Sequence, residues 1–139
     1  MAKFPSAVRA PNEAKQASSR KLISIVDDDQ SIREAMESLI RSVGFRTQVF
    51  ASAEDFLKWK ERESTACLIL DVRLPGISGL ELQRLLTSVR SRIPVIFITA
   101  HGDAQTRERA IAAGAVEFLQ KPFSEEALLD AVRAALPKS

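Results

Sequence analysis

The chain has 139 residues, 45% of them hydrophobic and 27% charged, with a formal net charge of +2. That length suits one domain around one core; folding can bury roughly 68 to 70% of the unfolded surface, so stability requires neither a disulfide nor a metal. The single cysteine, Cys67, excludes an intrachain disulfide and a cysteine-built zinc site, and points to a reducing compartment.

No apolar run approaches the ~20 residues that a bilayer span requires. The N-terminal stretch is broken by Lys3, Arg9, Glu13 and Lys15 before it can form the apolar segment of a secretory signal. A cytoplasmic protein without membrane insertion is expected. Residues 1–21 hold five bases against one acid, which leaves the rest of the chain net negative. A basic balance confined to such an Ala/Ser/Pro/Asn-containing leader reads as a disordered extension over residues 1–20, and no direct DNA binding is expected of the folded part, residues 21–139.

From Lys21 onward, short apolar runs alternate with segments of helical period, the pattern of βα units on a parallel sheet. The predicted strands are Leu22–Val26, Arg46–Phe50, Ala66–Asp71, Pro94–Thr99 and Val116–Gln120, each rich in β-branched or aromatic residues and too short for an independent helix. Ser31 with Glu34 and Ser78 with Glu81 fit capping boxes, and Ser52 and Ser124 are further N-cap candidates. Gly44 and Gly114 supply left-handed stops for the first and fourth helices. In the first helix Ile32, Met36, Leu39, Ile40 and Val43 form one stripe to be buried.

The first, third and fourth apolar runs are nearly continuous, as central parallel strands covered on both faces must be, whereas Gln48 and Glu117 place the second and fifth at the edges. This is the doubly wound order 2-1-3-4-5 of a flavodoxin-like (βα)5 fold, an α/β class in which ligands bind beyond the carboxyl ends of the strands. Those ends carry Asp27 and Asp28 after strand 1, Asp71 closing strand 3, Thr99 closing strand 4 and Lys121 after strand 5. Carboxylates gathered there repel one another unless a cation sits among them, and an open all-oxygen site suits Mg²⁺. Carboxylate nucleophiles that accept a phosphoryl group are an established class, and a metal and an ammonium would offset its charge.

Ile25-Val26-Asp27-Asp28-Asp29, the segment Asp71-Val72-Arg73-Leu74-Pro75-Gly76-Ile77-Ser78-Gly79, Ile98-Thr99-Ala100 and Lys121-Pro122-Phe123 together resemble the receiver domain of bacterial two-component response regulators over about Lys21 to Leu136. The Thr-Ala-His-Gly-Asp run looks most like the nitrogen-fixation-regulator type. The resemblance implies a phosphoacceptor at Asp71. It implies Mg²⁺ held by Asp27, Asp28, Asp71 and the backbone carbonyl of Arg73. It further implies phosphoryl-binding and switch roles for Thr99, Lys121 and Phe118, a cis bond before Pro122, and tuning of phosphate lifetime by Arg73, Ala100 and His101. Asp29 reads instead as a cap of the first helix, Cys67 as a small buried strand residue, and Trp59 as cover for the second helix.

The implied function is phosphorelay signalling without turnover of an external substrate. A sensor histidine kinase or phosphotransfer protein would donate to Asp71. A conformational switch would then act on a downstream protein target, or form a homodimer, through helix 4, strand 5 and helix 5. Kinase specificity would lie on helix 1 around Arg33, Met36, Glu37 and Ile40. A stand-alone receiver with no output domain is expected; the alternatives are a fragment of a receiver-containing transcription factor or an interaction module independent of phosphorylation. An aspartyl-phosphate phosphatase is disfavoured, because the acid/base carboxylate that such enzymes place two residues after the nucleophile is here Arg73.

Overall fold

A computed structural model describes residues 20–100, 102 and 104–136. The extension expected over residues 1–20 lies, apart from Arg20, outside the described residues, and so does His101. The strands are β1 (Leu22–Val26), β2 (Arg46–Phe50), β3 (Cys67–Asp71), β4 (Val95–Thr99) and β5 (Glu117–Gln120). Between and after them run the helices α1 (Gln30–Ser42), α2 (Ala53–Lys58), α3 (Gly79–Ser88), α4 (Ala104–Ala112) and α5 (Glu125–Ala135), with a 3-10 turn at Arg62–Ser64.

All strand pairs are parallel and the order is β2-β1-β3-β4-β5. Every residue of β1, β3 and β4 is buried, while β2 alternates between exposed and half-buried positions until Phe50, and β5 buries only Phe118. Apolar continuity therefore marks the centre of the sheet, as a strand covered on both faces requires.

The helices divide the core into two layers. On one face Val26, Leu68, Leu70 and Phe97 pack with Phe56 of α2, Leu82 and Leu86 of α3 and Ala110 of α4. On the other, Ile23, Ile25, Ile69 and Ile98 pack with Met36 and Ile40 of α1 and Leu128 and Val132 of α5. Each fully buried aliphatic or phenyl side chain contributes about 1.5 to 3 kcal/mol of transfer free energy, so this double layer holds the strand ends in place. Trp59 caps α2 and packs on Phe50 with ring centroids 5.4 Å apart. Cys67 is buried in β3, and burial pushes its thiol up to about 12.

Helix ends follow local chemistry, with two departures from the sequence reading. Asp29, and not Ser31, is the N-cap of α1: its carboxylate accepts from the Ile32 amide at 3.2 Å, and Ser31 lies inside the helix. Asp29 precedes the first helical residue, so it reaches the free amides before Ser31 can. Val43 is the C-cap and is 39% exposed, so the buried stripe ends at Ile40. Ser52, Ser78 and Ser124 cap as expected, and the Ser78–Glu81 capping box is reciprocal.

Three helices end in the same paired motif, in which the residue after the C-cap turns left-handed and its successor bonds back to the last turn. In α1 Gly44 and Phe45 donate to Arg41 and Ile40, and after α4 Gly114 and Ala115 donate to Ile111 and Ala110. After α3 Arg90 and Ser91 donate to Thr87 and Leu86, with Arg90 itself at φ 59°. A side chain in this region costs about 1 to 2 kcal/mol, against which glycine's extra chain entropy is smaller. Arg90→Gly is expected to stabilise the fold by about 0.5 to 1 kcal/mol, read as a higher urea midpoint at unchanged slope.

Candidate functional site

The carboxyl ends of β1, β3, β4 and β5 meet at one rim. Asp27 follows β1 directly and is fully buried; its backbone amide donates to Phe50 of β2 and one carboxylate oxygen accepts from the Asp29 amide at 2.9 Å. Asp71 ends β3 and is almost as deep, with Oδ1 accepting from the Arg73 amide at 3.0 Å. Lys121, immediately after β5, places its Nζ at 2.8 Å from Asp27 Oδ2 and 3.1 Å from Asp71 Oδ2. Its backbone amide donates to the Thr99 carbonyl at 2.7 Å, so β4 and Lys121 are tied at the level of the site. The peptide bond between Lys121 and Pro122 is cis.

Asp28 is exposed at the mouth, and one oxygen from each of Asp27, Asp28 and Asp71 lies within 4.8 Å of the others. These carboxylates, with Asp29, Ile32, Arg73, Thr99, Ala100 and Lys121, line a pocket of about 300 Å³. Thr99 is 1% exposed, whereas Arg73 and Ala100 are exposed at the opening. The donor set is all oxygen, clustered and open on one side, which fits Mg²⁺ with part of its hydration retained. Asp29 is spent on capping α1 and stands outside the carboxylate cluster.

Burial pushes the Asp71 carboxyl above its usual range and Asp27 adds to that rise, while the Arg73 amide and the Lys121 ammonium hold it back. Burial works against the charge on Lys121, but its bonds to Asp27 and Asp71 outweigh that and move it upward. The cationic side chain is therefore charged throughout the neutral range and partly neutralises the acids around it.

Phe118 lies 6% exposed in β5, in register with Phe97, outside the acidic pocket. It meets Thr99 at Gly102, where an added Cβ would come within 3.0 Å of Phe118 Cε1 and 3.1 Å of Thr99 Cγ2. The sequence reading brought Asp27, Asp28, Asp71, Thr99 and Lys121 to one place, and the structure does so. Two contributors went unread. Arg33 donates from Nη1 to the Asp27 carbonyl at 2.7 Å, and Glu54 of α2 accepts from the Ile77 amide at 3.1 Å in the loop after Asp71. On helix 1, Met36 and Ile40 are buried and cannot face a kinase, so of that expected set only Arg33 and Glu37 reach the surface, both half-buried.

Residues 23–133 match the response regulator receiver domain family. The response regulator protein TodT of Pseudomonas putida is 51% identical over 115 residues, which are 83% of this chain and 51% of TodT. The transcriptional regulatory protein FixJ of Azorhizobium caulinodans is 39% identical over 117 residues, 84% of this chain and 56% of FixJ. The solved structure of the response regulator StyR matches with a TM-score of 0.78 at 49% identity, over 85% of this chain and 60% of that one.

The chain spans about half the length of the curated relatives it matches. The expectation of partners that exclude DNA is corrected by these relatives: FixJ is by name a transcriptional regulator, and the charge argument considered only the half that this chain matches. Among the described residues no helix is long and apolar enough to cross a membrane. The match over residues 23–133, together with these identities, shows that the chain belongs to the response-regulator receiver family, a signalling domain of two-component systems.

Proposed function

We propose that the domain takes a phosphoryl group onto Asp71 from the phosphohistidine of a sensor histidine kinase. The observation that carries this reading is the placement of Asp71. Its carboxylate ends a central strand inside a 300 Å³ pocket, bonded to the Lys121 ammonium and the Arg73 amide and flanked by two further carboxylates. An Asp71 oxygen forms the new bond to phosphorus as the bond from phosphorus to the imidazole nitrogen breaks, and the imidazole leaves with the electron pair. Lys121 then faces the transferred oxygens, and the Thr99 side chain is the hydroxyl beside them.

Asp27, Asp28, Asp71 and the Arg73 carbonyl would hold Mg²⁺, which when bound supplies charge neutralisation for the phosphoryl oxygens. Ala100, small and exposed at the opening, leaves the approach to Asp71 clear, and Arg73 stands where it can influence the approach of water during self-dephosphorylation. Movement of Thr99 toward the phosphoryl group and of Phe118 into the space beside Gly102 would carry the switch. The similarity to FixJ supports a transcriptional response as its output.

Incubation with Mg²⁺ and a small acyl-phosphate donor is expected to add one phosphoryl group by intact mass. Asp71→Asn or chelation of the metal removes the adduct; an adduct that survives in Asp71→Asn overturns the assignment. Arg73→Ala is expected to change the decay rate of the phosphorylated protein more than its rate of labelling, followed by the same mass measurement in a chase.

The charge on Asp71 also sets a pH dependence. Its folded value lies above the ordinary 3.8, so the ionised form destabilises the fold at pH above that raised value, and the deficit fades as pH falls toward 3.8. In metal-free buffer Asp71→Asn is expected to raise Tm at neutral pH, with a gain that shrinks on acidification through the folded value of Asp71. A gain independent of pH would assign the effect to packing.

A further inference from the structure

The segment from Val72 to Ser78 links β3 to α3 and carries Arg73 over the pocket. Its two ends are fixed by backbone contacts. The Arg73 amide bonds to Asp71 Oδ1 at 3.0 Å, and the Gly79 amide bonds to the Val72 carbonyl at 3.0 Å. Gly79 lies against the Asp71 carbonyl so closely that a Cβ there would collide with it. The middle of the loop is held from another element: Glu54, in the first turn of α2, sends Oε2 to the Ile77 amide at 3.1 Å.

Gly76, at φ 77°, makes room for this contact, since a Cβ on it would strike Glu54 Oε2. The other oxygen, Glu54 Oε1, is shielded from solvent and has no hydrogen-bond partner among the described residues. Desolvating a carboxylate oxygen without a partner is unfavourable. What the arrangement gains is a fixed loop: one amide bonded and one glycine packed under a single carboxylate, 23 positions away in sequence.

We propose that Glu54 is a positioning residue that clasps this loop and thereby sets the affinity of the acidic pocket for Mg²⁺. The proposal rests on the reading of the Arg73 carbonyl as a metal ligand. Glu54 acts through the loop: without it the segment stays anchored at Val72 and Gly79 but loses its middle tie, so the Arg73 carbonyl is no longer held toward the pocket. Outer groups that orient metal ligands commonly change metal affinity by about 10- to 100-fold. Glu54 acts through the loop at Ile77 and not on a ligand directly, so the lower figure applies.

Glu54→Ala is expected to weaken Mg²⁺ binding on the order of tenfold by calorimetric titration. The Mg²⁺ concentration for half-maximal labelling by an acyl-phosphate donor rises in parallel, and the rate at saturating Mg²⁺ is retained. Glu54→Gln keeps an acceptor for the Ile77 amide and restores the wild-type midpoint. Gly76→Ala displaces the carboxylate and lowers Mg²⁺ affinity as Glu54→Ala does, and the double variant is no weaker than the weaker single one.

Faster hydrogen exchange at the Ile77 amide in Glu54→Ala reads the clasp independently of any phosphorylation. If the wild-type chain takes no phosphoryl group and binds no Mg²⁺, the phosphoacceptor reading fails. If the wild type labels normally and Glu54→Ala keeps its Mg²⁺ midpoint, or Glu54→Gln is as impaired as Glu54→Ala, the clasp is overturned.

Discussion

The ammonium of Lys121 between Asp27 and Asp71 is the contact on which the upper rim of this fold depends. It joins the residue after the edge strand β5 to residues at the ends of β1 and β3, across 94 and 50 positions of sequence. Asp27 is fully buried and Asp71 nearly so. Two carboxylates at that depth would repel each other and resist ionisation without a cation. Removing the lysine would leave both carboxylates without their cation, a loss that for a buried ion pair typically costs about 3 to 5 kcal/mol. The two acids can thus be close and ionised together because the lysine is there, and the price of that charge balance is a site whose free state is already occupied by a bound cation of the chain itself.

That arrangement explains how an acidic pocket can be both stable and receptive. Lys121 contacts one oxygen of Asp27 and one of Asp71, while backbone amides of Asp29 and Arg73 occupy the other oxygen of each. Asp28 stands exposed at the mouth beside them. The buried pair sets the geometry and the exposed acid completes it. A divalent ion entering such a cluster adds positive charge where the lysine alone leaves a net negative one, which is the electrostatic reason the donor set favours a hard cation.

Much of this was legible in the sequence, because the relevant signals are local and physical. The nearly continuous apolar runs at Leu22–Val26, Cys67–Leu70 and Val95–Ile98 are what fully covered strands need, and they pointed to a centre of strands 1, 3 and 4, beyond whose ends Asp27, Asp71 and Thr99 converge. What escaped depends on competition or distance. Asp29 was read as a cap and is one, but the Ser31–Glu34 box offered a competing start that only the actual helix boundary rules out. Arg90 ends α3 in the conformation that glycine usually marks, so no residue type announced it. Glu54 reads in sequence as an ordinary acid in the first turn of a helix, and its partners at Gly76 and Ile77 become visible only when α2 and the β3–α3 loop are side by side. The buried stripe of α1 was read correctly at Met36 and Ile40, and that same burial removes both from any partner surface.

Thr99 and Phe118 illustrate how a change at the rim can leave the pocket. Thr99 ends β4 inside the site, Phe118 sits in β5 in register with Phe97, and Gly102 fits against both without a side chain of its own. A Cβ at Gly102 would fall at 3.0 to 3.1 Å from each, tighter than ordinary packing, so neither neighbour has slack at that point. Close-packed contacts of this kind shift between discrete arrangements because they cannot deform continuously. Under the proposed reading, a Thr99 drawn toward the phosphoryl group vacates volume at Gly102. Phe118, bounded on that side by the same residue, is then the nearest bulky group able to take it up. On that reading, charge arriving at Asp71 would be converted into a change of packing on β5, with no contact between Phe118 and the phosphoryl group required.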